Sequence, residues 1–401
     1  MANPYKSPGV YVEDVPPASR PIAGVGTSTA GFIGVVDNTG TGANAFKMPE
    51  KPDGSGAKYA LFAAGKPLLV SAWTDFVTNF GDIQAGNANL AQAVFGFFHN
   101  GGTRCWVIRV ADTAGLSDLG DELNEFAAID EIAIVAVPGA TTQTAHQALL
   151  EHCMNTGDRV AILDGVRAPK AQPTDTTLSF TPAAISPAAR SEAGGYGAIY
   201  FPWIEVFDPS TTNNRRFVGP SGHIAGIYAR NDATRGVHKA PANEVVLGAL
   251  SLEYRISKAQ QDGLNPDGIN VIREFNGALK VWGGRTRADE TRSEYRYVSV
   301  RRYMNYLRES IDDGTQWVVF EPNTPSLWKR IERTIADFLT NEWRSGALFG
   351  ETPKQAFYLK CDADTNPADV RELGQVVTEI GVAIVKPAEF VIFRIQQITG
   401  G

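Results

Sequence analysis

Apolar and polar positions alternate in SPGVYVEDVP, Ser7 to Pro16. Val10 and Val12 face one way, Tyr11 and Glu13 the other, which is the period-2 pattern of a strand. Pro4, Pro8, Pro16, Pro17 and Pro21 bracket it. They remove ladder donors and keep the preceding residues extended. A lone strand is not stable in water, so this one needs a partner. The other end raises the same question. EFVIFRIQQ follows Pro387, and Val391, Phe393 and Ile395 alternate with Phe390, Ile392 and Arg394, so both faces are largely apolar.

Between these arms the pattern predicts an α/β domain over residues 23–285. A strand is expected at Ala30–Val36, then a polar loop between Asp37 and Lys66. KPLLVSAWTDF reads as a strand and a helix start, with Ser71 as N-cap. NLAQAVFGFFHNGG reads as a helix with Leu90, Val94, Phe97 and Phe98 on one face, and RCWVIRV as a buried strand. IDEIAIVAVPG, TQTAHQALLEHCMNTG and RVAILDG follow in strand, helix, strand order, the spacing of a parallel βαβ unit. YGAIYFPWIEVFDP adds a further strand.

The pattern changes near Trp282–Arg285. YVSVRRYMNYLRESI has Val300, Tyr303, Met304, Leu307 and Ile311 at helical spacing. TQWVVFEP reads as a strand, SLWKRIERTIADFLTNEW as a strong helix, and AFYLKCD, QVVTEIGVAIV and EFVIFRIQQ as three more strands. This predicts an α+β domain over 286–386, with helices on a mostly antiparallel sheet. The expected organisation is an N-terminal linking arm (1–22), a middle α/β domain (23–285), a C-terminal α+β domain (286–386) and a C-terminal linking strand (387–401).

The 401 residues, 43% hydrophobic and 20% charged, suit two or three domains with ordinary cores. Cys105, Cys153 and Cys361 are far apart and form no CxxC pair, which points to a reduced compartment rather than a disulfide framework. No secretory h-region and no stretch of about 20 apolar residues is legible, so no membrane insertion is expected. A net charge of −7 argues against a general nucleic-acid binder.

Candidate chemistry is sparse. The glycines of GVGTSTAG do not fit GxGxxG, and there is no GxxxxGK[ST], so no nucleotide cofactor is expected. Ser221, His223 and Asp232 lie close in sequence but without a GxSxG elbow. Ser221 is read as a helix cap and His223 as an ordinary histidine. His99, His146, His152, His223 and His238 lack metal-ligand spacing, so no metal is expected. Asp312–Asp313 reads as a solvated pair. Neither catalytic residues nor enzymatic activity are expected. The helix Pro325–Arg344 differs: opposite its apolar stripe it carries Lys329, Arg330, Arg333 and Arg344, diluted by Asp337. That face is either solvated or a dock for an acidic partner.

Long ordered stretches resemble the contractile tail sheath family of myophage tails, R-type bacteriocins and phage-like contractile injection systems. They include SPGVYVEDV with PIAGVGTSTAGFIG, FFHNGGTRCWVIRV, YGAIYFPWIEVFDP, GPSGHIAGIYARNDATRGVHKAPANE, LNPDGINVIREFNGALKVWGGRT, VSVRRYMNYLRESIDDGTQWVVFEPN, LWKRIERTIADFLTNEWRSGALFG and IGVAIVKPAEFVIFRI. The likeness runs from about residue 7 to residue 397. It implies a structural subunit that polymerises helically around a rigid inner tube and contracts to drive that tube through a target envelope. It implies synthesis in a bacterial cytoplasm and incorporation into a phage tail or phage-like particle. The implied partners are further copies of the chain, the tube protein, and baseplate and tail-terminator proteins. The middle domain would lie outward and the C-terminal domain inward, with Lys329, Arg330 and Arg333 toward the tube. Val10, Tyr11, Val12 and Glu13, and Val391, Ile392, Phe393 and Ile395, would add as strands to a neighbour's sheet; the alternative for the N-terminal strand is that it folds back onto the sheet of its own chain. The competing reading is a hydrolase-like enzyme built on the middle domain, with the arms incidental.

Overall fold

A computed structural model describes residues 21–41, 45–170, 177–188, 190, 195–392 and 394. The strand expected in the N-terminal arm (Val10, Tyr11, Val12, Glu13), and Phe393 and Ile395, lie outside the described residues. The chain forms two compact units. The larger takes residues 24–309 and the segment from residue 384 onward, and the smaller takes residues 310–383 with 21–23.

Six strands of the larger unit run parallel in one sheet: β1 (Ala30–Val35), β3 (Cys105–Val110), β4 (Ile134–Ala136), β5 (Val160–Asp164), β6 (Gly197–Phe201) and β10 (Ile269–Phe275). β2 (Leu68–Val70) and β11 (Ala278–Val281) close its edges antiparallel, giving the order β11-β10-β6-β5-β4-β1-β3-β2. These strands are apolar on both faces because both faces are covered. Phe32, Val107, Ile134 and Ile162 point into one core; Ile33, Ile108, Val135 and Leu163 point into the other. The first core holds residues from helices Ala88–His99 and Ser221–Arg235, the second from Gly120–Ala127 and Gln143–Thr156. Each fully buried Phe or Ile contributes about 1.5–3 kcal/mol. GHIAG explains one close approach. A Cβ at Gly222 would overlap Ala93, and one at Gly226 would overlap the carbonyl of Phe97, so the two helices of the first core touch backbone to backbone.

YGAIYFPWIEVFDP is two strands rather than the one expected. Pro202 lacks an N–H, and the chain leaves the large sheet there. β7 (Ile204–Phe207) instead joins β8 (Arg215–Val218) and β9 (Ala249–Leu252) in a three-stranded antiparallel sheet. Ser71 is not the N-cap of helix Trp73–Phe80. Ala72 holds that position, and the Asp75 carboxylate accepts the Ser71 N–H at 3.2 Å.

In the smaller unit, helix Pro325–Arg344 forms as its stripe predicts. Pro325 occupies the first turn, and Leu327, Trp328, Ile331, Ile335, Phe338 and Leu339 are buried, with Trp343 half-buried. TQWVVFEP is not a strand. Val319 N–H bonds to Gln316 O at 3.2 Å and Glu321 N–H to Val318 O at 3.1 Å, so local turns take the donors a ladder would need. The mostly antiparallel sheet is, among the described residues, a two-stranded ribbon of β12 (Phe357–Lys360) and β13 (Glu379–Val382), and helix Pro325–Arg344 packs against β12. EFVIFRIQQ forms no strand within this chain over its described residues.

Candidate functional site

Ser221, His223 and Asp232 share helix Ser221–Arg235 but serve three separate environments. Ser221 is its first residue, not its cap. Its N–H and hydroxyl donate to Oδ1 and Oδ2 of Asp164, each at 2.8 Å, and Gly139 N–H donates to Oδ2 at 2.8 Å. Burial pushes the Asp164 carboxyl up to about 6 against the pull of these donors. The carboxylate at the end of β5 thus caps the helix that crosses the sheet. His223 packs against Gly96 and Gly248, and burial, with His99 beside it, pushes its pKa down to about 4. Asp232 pairs with Arg302 at 2.6 Å and accepts the Thr27 hydroxyl at 2.7 Å. The serine therefore faces an aspartate rather than the histidine, and no triad assembles from these residues. Among the described residues, no group of three His, Cys, Asp or Glu side chains is placed to hold a metal ion.

The exposed face of helix Pro325–Arg344 is a mixed one. Lys329 pairs with Glu332, one turn on, at 2.6 Å. Arg330 lies over the Trp317 ring at 4.5 Å and reaches Glu321 at 3.8 Å. Arg333 is exposed and makes no ion pair among the described residues. Sequence reading placed all three on one face but missed that Glu332 and Glu321 offset two of them. The i, i+3 spacing of Lys329 and Glu332 carried the first of these signals.

The ribbon and the C-terminal segment complete the candidate surfaces. β12 and β13 pair from Phe357↔Val382 to Lys360↔Glu379, and none of their side chains is fully buried. Beyond β13 the chain returns to the larger unit, where Phe390, Val391 and Ile392 are 70%, 69% and 79% exposed. An exposed apolar run of this kind marks a candidate contact surface.

The fold and these surfaces define a two-unit α/β protein in which Ser221, His223 and Asp232 each meet different partners. Residues 112–287 match the phage tail sheath protein central domain, and residues 290–398 match the phage tail sheath C-terminal domain. The chain belongs to the phage tail sheath family. It is 28% identical to the tail sheath protein of Vibrio phage KVP40 over 184 residues, covering 45% of this chain and 26% of that protein. It is 25% identical to the tail sheath protein of Burkholderia phage BcepMu over 286 residues, covering 69% of this chain and 57% of that protein. These alignments thus span less than two thirds of either relative. A solved structure of the anti-feeding prophage helical sheath in its contracted state superposes with a TM-score of 0.71 at 28% identity, covering 98% of this chain and 99% of that one.

Proposed function

We propose that this chain is the repeating subunit of a contractile sheath. Many copies polymerise helically around a rigid inner tube, and shortening of the sheath drives the tube through a target envelope. The observation that carries this reading is the superposition of nearly the whole chain on a contracted-sheath subunit, without a large unmatched domain on either side. No residue does chemistry in this account. The work comes from the free-energy difference between two packings of the same subunits.

The ribbon β12–β13 receives strands from neighbouring copies. A two-stranded ribbon is marginal by itself, and its half-buried residues gain cover when further strands add. The donors are Val10–Glu13 and the run that starts at Phe390. Each added strand makes roughly 4–6 backbone hydrogen bonds at a net ~0.5–1.5 kcal/mol apiece. Repeated in every subunit, this holds the sheath together while it changes length. The flanking prolines keep the linkers extended and free of local pairing. Helix Pro325–Arg344 faces the tube, with Arg333 as the leading cation and Lys329 and Arg330 beside it. Baseplate and tail-terminator proteins bound the polymer at its ends.

Negative-stain microscopy of the purified protein tests the reading. Long hollow cylinders support it. Monodisperse small particles that turn over an ester panel would favour the hydrolase alternative, which the separation of Ser221 from His223 already disfavours.

A further inference from the structure

We propose that Arg285 and Glu389 form an anchor that fixes the point and direction at which the C-terminal donor strand leaves the larger unit. This rests on the strand-exchange reading above. Glu389 immediately precedes the exposed apolar run Phe390–Ile392. Its carboxylate accepts four hydrogen bonds. Arg285 Nε donates to Oε1 at 2.8 Å and Nη2 to Oε2 at 2.7 Å; Asn265 Nδ2 donates to Oε1 at 2.8 Å and the Tyr297 hydroxyl to Oε2 at 2.9 Å. The two charged side chains are 11% and 18% exposed.

The receiving site is built on the body of the larger unit. Arg285 N–H donates to Asn270 Oδ1 at 2.8 Å, and Arg285 Nη1 donates to the Asn265 carbonyl at 3.1 Å. Arg285 and Tyr297 face each other across an antiparallel bridge. The guanidinium also lies 6.0 Å from the centre of the Phe390 ring, at the outer limit of a cation–π contact. The side chains that meet Glu389 are thus oriented by the fold before the strand is offered.

Chain order makes this more than a surface ion pair. Residues 310–383 belong to the smaller unit, yet Glu389 is bonded to the larger one. The donor strand is therefore presented by the larger unit, although the ribbon precedes it in sequence. An arm fixed at its root loses less conformational freedom when it meets a neighbour. The fork of two parallel N–H···O bonds sets direction as well as position, and lysine cannot reproduce it.

The test uses the full chain, with hydrogen–deuterium exchange over residues 384–392 and the yield of cylinders by electron microscopy. Glu389→Gln and Arg285→Lys are each expected to speed exchange there by about tenfold, the equivalent of one charged hydrogen bond. Exchange in β3–β5 stays unchanged and cylinder yield falls. Tyr297→Phe, which keeps the ion pair, is expected to speed exchange by about threefold, and it carries the test if the charge variants fail to fold. Unchanged exchange over 384–392 in Glu389→Gln and Tyr297→Phe overturns the anchor. A truncation removing residues 390–401 separates the two proposals. If it abolishes cylinders while Glu389→Gln assembles normally, the anchor fails and strand exchange stands. If it assembles normally, strand exchange fails, and protection at 384–389 still decides whether Arg285 holds Glu389.

Discussion

Arg302 grips Asp232 with both prongs of its guanidinium: Nη1 donates to Oδ1 at 2.8 Å and Nη2 to Oδ2 at 2.6 Å. The pair joins helix Ser221–Arg235 to helix Val298–Thr315, and Nη2 also donates to the Thr27 carbonyl at 2.9 Å, tying in the segment that leads into β1. Burial works against the Arg302 charge, and Asp232 outweighs it, so the guanidinium is held more firmly protonated than usual. Asp232 could be mistaken for a catalytic acid in sequence; in the fold it joins three segments.

Breaking that pair from one side strands a buried charge. Asp232→Asn and Arg302→Met are each expected to destabilise the larger unit by about 3–5 kcal/mol. The double variant should cost less than the sum, since it removes both charges. Urea denaturation followed by far-UV circular dichroism measures this. A single-variant loss below about 1 kcal/mol would show that the pair carries little.

Ser221→Ala separates a structural serine from a nucleophile. The Asp164 carboxylate loses one of its donors, which is expected to cost about 1–3 kcal/mol of stability. Turnover of activated esters should stay at the level of the unaltered protein. Loss of a measurable turnover without loss of stability would point to chemistry at Ser221.

Acid should weaken the fold. Burial holds His146, His152 and His223 neutral, each with its pKa pushed down to about 4. The unfolded chain takes up these protons near 6.5, so their contribution is complete above that pH and is lost as pH falls from 6.5 toward 4. Glu389 acts in the same direction. Burial raises its pKa, but the bonds from Arg285, Asn265 and Tyr297 outweigh that and hold it below the ordinary carboxylate value, so its stabilisation is lost in acid. Asp164 opposes them: with its pKa at about 6 in the fold, it favours folding as pH falls toward 3.8. The three histidines outweigh the one aspartate. Melting temperature is expected to level off above about pH 7 and to fall steadily below pH 6.5. A melting temperature that rises between pH 6.5 and 4 contradicts this.

Charge reversal tests the proposal that helix Pro325–Arg344 faces the tube. Lys329→Glu with Arg333→Glu is expected to leave a folded subunit that no longer assembles extended sheath on tube at normal yield. Arg333→Glu alone should cost more than Lys329→Glu alone, because Glu332 already offsets Lys329. Each exposed contact is worth only about 0–1 kcal/mol and is screened by salt, so the loss should be larger at low ionic strength. Normal yield from the double variant would exclude this helix as the docking face.

What the sequence disclosed depended on whether its signal was local. Helix Pro325–Arg344 was legible to the residue, since its proline start and apolar stripe lie within one segment. The parallel β4–helix–β5 unit was legible for the same reason, through two apolar runs either side of an amphipathic helix. TQWVVFEP misled because Val318, Val319 and Phe320 have the composition of a strand while the backbone bonds close into turns. The hydrogen bonds to Glu389 join Asn265, Arg285 and Tyr297 across about a hundred residues, and no periodicity records such a meeting. The offset of Arg330 by Glu321 was hidden likewise, because the turn that brings them together was read as a strand.

Strand exchange between copies is the contact on which the proposed sheath depends, and removing one donor tests it most directly. The subunit without residues 1–15 should be compared with the full chain by thermal melting and negative-stain microscopy. The truncated protein is expected to melt as a folded, soluble protein and to build no long cylinders. Cylinders of normal length and yield, or a monomer that unfolds outright, would contradict the account, because the partner of Val10–Glu13 would then not be a neighbouring subunit.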